Sequence, residues 1–162
     1  PAEPGQGLTM TFHIAFADAA IGEQTKTLDL ANGTFVRELC DSRTFCRAAD
    51  VTAMRAAGKA LGGTYHNAVV VEGDRVLSPG GLRHADEAVR HKMLDALGDL
   101  ALAGAPLLGH YEGHKAGHAM TNALLHALFA APGASRLISC DAGQAAVLPG
   151  AGVERCEIPA VA

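Results

Sequence analysis

Two side chains one helical turn apart, His91 and Asp95, have the types and the spacing to hold one divalent cation. They belong to a longer series. Glu87, His91, Asp95 and Asp99 step by four and form one polar stripe, which we expect to lie on the side of the helix away from its apolar face. A solvated helix surface also carries His–Asp pairs at this spacing, so spacing alone does not separate a ligand pair from an ordinary ion pair. The second histidine-bearing stretch is GHYEGHKAGH, residues 109–118. His110, His114 and His118 also step by four, but each follows a glycine. Glycine in a helix interior costs about 1 kcal/mol relative to alanine, so we reject one continuous helix there, and with it a three-histidine metal face. No Gly-Lys-Ser/Thr follows, which excludes a phosphate-binding P-loop. His110 and His114 are expected at the surface and His126 on a helix side, none with a role.

The His91–Asp95 pair needs a helix to carry it. Residues 83–104 supply the pattern: Val89, Met93, Ala96, Leu97 and Leu100 recur at helical spacing, with Pro79-Gly80-Gly81 before the run and Gly104 and Pro106 after it. Residues 8–17 alternate, with Leu8, Met10, Phe12, Ile14 and Phe16 on one side and Thr9, Thr11, His13 and Ala15 on the other, which predicts a half-buried strand. Residues 26–30 read as a second strand, and Asn32-Gly33-Thr34 opens a short helix to about Asp41. Arg43-Thr44-Phe45 reads as a junction, residues 47–57 as a helix, and residues 65–72 as a Val-rich strand turned by Gly73-Asp74 into a partner at 75–78. A short strand at 106–110 precedes a second long helix at 114–130. Residues 136–139 and 153–158 are weak strand candidates. Strands and two long helices without strict alternation predict an α+β fold: a two-layer sandwich, with a mixed or antiparallel sheet carrying two long helices on one face.

With 162 residues the chain reads as one domain. Hydrophobic residues make up 49% and aromatics 4%, so the core must be built from Ala, Leu and Val, which argues against disorder. A net charge of −4 and a pI near 6.0 give no reason to expect nucleic acid as a partner. No run is long and apolar enough to span a membrane, and the opening residues have no signal-peptide pattern. Cys40, Cys46, Cys140 and Cys156 form no CxxC pair, which fits a reducing compartment. We therefore expect a cytoplasmic location, with at most peripheral contact with a membrane.

The string VRHKMLDALGDL, residues 89–100, resembles the zinc-binding helix of the UDP-3-O-acyl-N-acetylglucosamine deacetylases, which act at the committed step of lipid A synthesis. Further matches follow in the family's order: Arg43-Thr44-Phe45, Leu61-Gly62-Gly63, Asn67-Ala68-Val69-Val70-Val71, Arg75-Val76-Leu77, Gly81-Leu82-Arg83, Asp86-Glu87 and Lys115-Ala116-Gly117-His118-Ala119. The resemblance covers roughly residues 8–130 and thins beyond them. It corresponds to the second, C-terminal domain of the family, and residues 1–162 are read as that single domain.

The resemblance implies Zn²⁺, with Fe²⁺ as the alternative ion, held in part by His91 and Asp95. A catalytic zinc usually takes three protein ligands and leaves a position for water. The family's third ligand, a histidine, and its general base, a glutamate, lie in an N-terminal half that matches nothing in these residues. Such a half is therefore an expected partner, beside the acyl-UDP-glucosamine substrate. The resemblance further implies that His118 is the general acid with Asp99 in contact with it, that Lys92 and Thr44 steady the oxyanion, and that Lys115 meets the nucleotide sugar. One oxyanion donor is worth roughly 3–4 kcal/mol. An inserted strand–helix–strand unit at about residues 47–71 is expected to sheathe the acyl chain, lined by Ala48, Val51, Ala60, Gly63 and Val70, with Phe45 and Asp50 toward the hexosamine and the entrance. About ten enclosed methylenes at ~0.8 kcal/mol each would give a large gross affinity before ordering is counted. His66, Ala85, Ala88 and Arg47 depart from the family's usual residues, all away from the metal pair.

Two rival readings predict different behaviour. A stand-alone binding module would hold an acyl-UDP-sugar without turnover. A metal-storage or sensor domain built on the histidine string would lose metal when His110 and His114 are removed. The deacetylase reading also carries a structural expectation: the long helices should not both be buried within these 162 residues.

Overall fold

The structure, a computed structural model, describes residues 7–31, 33–146 and 148. Its central element is strand β1, Leu8–Ala15. The predicted alternation holds along its whole length: Leu8, Met10, Phe12 and Ile14 are buried and the residues between them are half-exposed. Strand β2, Glu23–Asp29, pairs with it antiparallel from Ala15↔Glu23 to Thr9↔Asp29. Strand β6, Gly109–His114, pairs with its other edge in parallel, from Leu8↔Gly109 to His13↔His114. The first sheet thus has the order β2-β1-β6.

Helix α3, Glu87–Leu100, packs across the apolar face of this sheet through Val89, Met93, Ala96 and Leu100. A 3₁₀ turn, Ala101–Ala103, ends it at Gly104, whose φ of 77° is in the left-handed region that glycine favours. Helix α4, His118–Ala130, lies beside α3. The hydroxyls of Tyr111 and Thr121, 3.1 Å apart, tie it to β6. Helix α1, Thr34–Glu38, links β2 toward the second sheet. That sheet has the order β3-β4-β5: Phe45–Arg47 runs parallel to Val69–Glu72, which turns back into Arg75–Val76. Helix α2, Ala48–Ala56, makes the crossover between the parallel pair. The α+β class, the two long helices and a strand–helix–strand unit are all present, and both sheets are mixed.

Several expected boundaries move, each for a local reason. The long helix begins at Glu87 and not at residue 83, because the Glu87 carboxylate accepts the backbone N–H groups of Arg83 (2.7 Å) and Arg43 (3.0 Å), which holds the preceding turn outside the helix. The strand expected at 65–72 starts only at Val69, since the Asn67 side chain closes a turn on the Thr64 N–H at 2.7 Å. The expected junction at Phe45 is already strand β3. The strand expected at 106–110 is found at Gly109–His114, starting three residues later and ending four later, and the helix expected from His114 starts at His118, after Lys115 at φ 51° and an extended Gly117. Residues 136–139 form no strand, and residues 153–158 lie outside the described residues.

One glycine of the histidine string has a packing reason. A Cβ on Gly113 would meet the Phe12 ring at 2.5 Å, so β6 can lie against β1 only with no side chain at that position.

Candidate metal centre and acid–base cluster

The polar side of α3 carries the cluster. His91 Nδ1 lies 3.0 Å from the Ser42 carbonyl oxygen. A carbonyl only accepts, so Nδ1 carries a proton, which leaves Nε2 as the ring nitrogen that can serve as a ligand. That nitrogen is 3.3 Å from Asp95 Oδ1. The Phe45 ring meets the imidazole edge-on with centroids 6.4 Å apart, and meets Phe16 likewise at 5.2 Å. Lys92 Nζ donates to Asp95 Oδ2 at 3.2 Å.

His118 opens α4 at the point where that helix passes α3. Its Nδ1 donates to Asp99 at 2.9 Å and its Nε2 is 3.9 Å from Asp95 Oδ2. The Asp95 carboxylate therefore stands between Nε2 of His91 and Nε2 of His118, and Asp99 fixes the opposite side of the His118 ring. The His118 side chain is 65% exposed while Asp95 and Asp99 are largely covered, so the imidazole faces open space from an anchored base. Thr44 sits between Ser42 and Phe45, both of which touch His91, and its side chain is exposed. Lys115 is exposed just before α4, its N–H donating to the His13 carbonyl oxygen at 2.8 Å.

Glu87, expected on the solvated stripe with His91, is instead completely buried. Arg43 reaches over it with Nε 2.9 Å from Oε1 and Nη2 3.0 Å from Oε2, a two-pronged contact that also engages the Gly81 carbonyl oxygen. Burial pushes the Glu87 carboxyl up, but the guanidinium and the two backbone N–H groups outweigh it and hold the group below its ordinary value. The same contact raises Arg43. This clamp fastens the segment from Ser42 to Phe45 onto the first turn of α3, one turn from His91. Both strings, Arg43-Thr44-Phe45 and Asp86-Glu87, are visible in the sequence, but no local pattern links residues 44 positions apart.

The insert residues are less gathered. Asp50 is exposed and paired with Arg47 at 3.1 Å. Val70 is buried, Ala48, Val51 and Gly63 are half-exposed, and Ala60 is exposed. Two cavities are described. One, of about 410 Å³, lies beside Asp18, Arg47, Ala48 and Glu72, so of the expected acyl-lining set only Ala48 borders it. The other, of about 530 Å³, is apolar and lies among Leu8, Leu30, Phe35, Leu97, Leu100 and Leu107, away from the insert.

An imidazole lone pair beside a carboxylate suits Zn²⁺, so the donor set present fits that ion. Among the described residues no group of three or more His, Cys, Asp and Glu side chains is placed to hold a metal ion. Fold and cluster together define an α+β domain in which a His–Asp pair stands beside a carboxylate-oriented histidine. The family model for UDP-3-O-acyl N-acetylglycosamine deacetylase matches residues 1–130. A deacetylase of that name from Phenylobacterium zucineum is 49% identical over 134 residues, 83% of this chain and 46% of the relative. Those of Bdellovibrio bacteriovorus and an Anaeromyxobacter species are 47% and 41% identical, covering 66% and 84% of this chain and 35% and 45% of the relatives. The chain belongs to the UDP-3-O-acyl-N-acetylglucosamine deacetylase family. It spans less than half the length of these curated relatives.

Proposed function

We propose that these residues form the C-terminal part of an enzyme that hydrolyses the 2-acetamido group of UDP-3-O-acyl-N-acetylglucosamine in lipid A synthesis. The observation that carries it is the single Asp95 carboxylate placed between Nε2 of His91 and Nε2 of His118, with Asp99 behind His118. His91 and Asp95 supply two ligands to Zn²⁺, with Fe²⁺ as the alternative. An ion held there would supply Lewis acidity for activating water and polarising the amide carbonyl. A third ligand and a general base come from other polypeptide, since no third His, Cys, Asp or Glu side chain among the described residues is placed to join the pair on a metal.

Within that frame each residue has a task. His118, oriented by Asp99, delivers a proton to the departing amine nitrogen as the C–N bond breaks, so that acetate and a free glucosamine amine leave. Lys92 and Thr44 steady the oxyanion. Lys115 meets the nucleotide sugar, Phe45 and Asp50 the hexosamine and the entrance, and Ala48, Val51, Ala60, Gly63 and Val70 the acyl chain. Because Val51, Ala60 and Gly63 lie far from full burial, the acyl chain would complete the packing of the insert. The free thiols of Cys40, Cys46 and Cys140, and the lack among the described residues of any helix long and apolar enough to cross a membrane, support a cytoplasmic setting.

The test is reconstitution. The chain is combined with an N-terminal half from a relative of the family, and acetate release from the acyl-UDP-sugar is followed. Activity should appear with the pair and fall about 10²–10⁴-fold in His118→Ala. Substrate binding without acetate release, with both halves folded, would favour a binding module and overturn the proposal.

A further inference from the structure

The histidine string has one member, His118, in the proposed chemistry and two outside it. A metal face of three histidines at steps of four would need a helical period. As strand β6 the string has a period of two, so His110, Glu112 and His114 share the exposed face of the first sheet, on the side away from α3. On the same face β1 presents Thr9, Thr11 and His13. Parallel register places His13 opposite His114, and their rings stack with centroids 4.5 Å apart and planes 6° apart. His110 is turned aside, its Nε2 lying 2.9 Å from the Thr11 hydroxyl.

We propose that His13 and His114 chelate a late first-row divalent cation on the open face of this sheet, separate from the His91–Asp95 pair. Neutral imidazole is the shared preference of Ni²⁺, Cu²⁺ and Zn²⁺. The Thr25 hydroxyl, 3.0 Å from His13 Nδ1, occupies that nitrogen and leaves Nε2 as the ligand, the outer-shell arrangement that metal-binding histidines use. Glu23 Oε1, 3.8 Å from the same Nε2 and on a freely exposed side chain, stands within reach as an anionic third donor. An ion held by both rings must lie in the plane of each imidazole, so the two rings, stacked almost parallel, must turn toward each other to bring their lone pairs together. His114 is exposed and can do so. The three donors do not converge on one point beforehand, which agrees with the lack among the described residues of a ready-made cluster of three. Water completes the shell.

The experiment is a Ni²⁺ titration of the full 162-residue chain by calorimetry, with the histidine ring signals followed by NMR. Paramagnetic Ni²⁺ should broaden His13 and His114 first. His114→Gln should weaken this binding event at least about tenfold. His91→Gln should leave it unchanged, which separates it from the site of the proposed deacetylation. His13→Asn, checked for folding by circular dichroism, should reproduce the His114→Gln loss. Binding in His114→Gln equal to that of the original chain, broadening centred on other histidines, or no Ni²⁺ uptake at all would each overturn the proposal.

Discussion

Glu87 is the residue whose environment differs most from its sequence pattern. It steps in register with His91, Asp95 and Asp99, yet it is sealed under Arg43 and accepts four N–H groups, from the Arg43 guanidinium and from two backbone amides. A fully buried carboxylate is tolerated only when its charge and lone pairs are matched in this way. Glu87→Gln leaves the guanidinium without its anion, so urea unfolding should show a loss of about 3–5 kcal/mol. The paired replacement Glu87→Leu with Arg43→Met should recover much of that loss, because it removes both charges together. The carboxyls of Glu87 and Asp86 are both held below their ordinary values. In Asp86, burial pushes upward but Arg90 and Lys26 outweigh it. Depressed carboxyls stabilise the fold fully above their unfolded-state values, about 4, and that contribution disappears as pH falls through the lower folded values. The melting temperature should therefore hold steady above about pH 5 and drop on acidification below about pH 4, with a shallower drop in Glu87→Gln.

At the scale of elements, strand β6 joins two features that its sequence shows as one. Its glycines count against a helix, as the residue pattern suggested, and the tertiary structure gives one of them a specific purpose. Gly113 lies against the Phe12 ring in the register Phe12↔Gly113. In Gly113→Ala the added methyl group must displace that ring, which is among the most buried in the core. The expected outcome is a destabilisation of about 1–3 kcal/mol by denaturant titration. Gly117→Ala, where a Cβ meets nothing within 4 Å, should change stability far less and serves as the control. Helix α3 was legible almost whole, because its apolar stripe of Val89, Met93, Ala96 and Leu100 is a local period of the chain. Strand β3 was not, because three residues cannot show an alternation and Phe45–Arg47 is a strand only by pairing with Val69–Val71.

On the scale of the molecule, the helix layer is uneven. Helix α3 is well covered by the first sheet, whereas α4 buries only Thr121 and Leu125 and leaves Met120 (59%), Leu124 (47%) and Phe129 (59%) exposed. Leu102, just past α3, is 71% exposed. Among the described residues the two long helices are thus not both buried. Met120 and Leu124, one turn apart, share one exposed side of α4, and apolar side chains grouped in this way suit a contact surface. If the N-terminal half of the proposed enzyme packs there, Leu124→Glu should leave the melting temperature of this chain within a degree or two, since the site is already solvated. It should also weaken association with that half by at least about tenfold, equivalent to 1.4 kcal/mol, in a calorimetric titration. Unchanged association would place the contact elsewhere.

The chemical inventory was readable from the chain: the His91–Asp95 pair, the carboxylate of Asp99 one turn on, and the family that the string around them resembles. So was the local geometry, because α-helical and β-strand periods are properties of consecutive residues. Contacts between distant segments were decided only by the tertiary structure. It set the Ser42 carbonyl on His91, Arg43 over Glu87, and the first residue of α4 against Asp99. It also turned the histidine string from a four-step pattern into a two-step one by adding it to the edge of β1. Periodicity shows that a face exists, and what covers that face depends on residues far away in sequence.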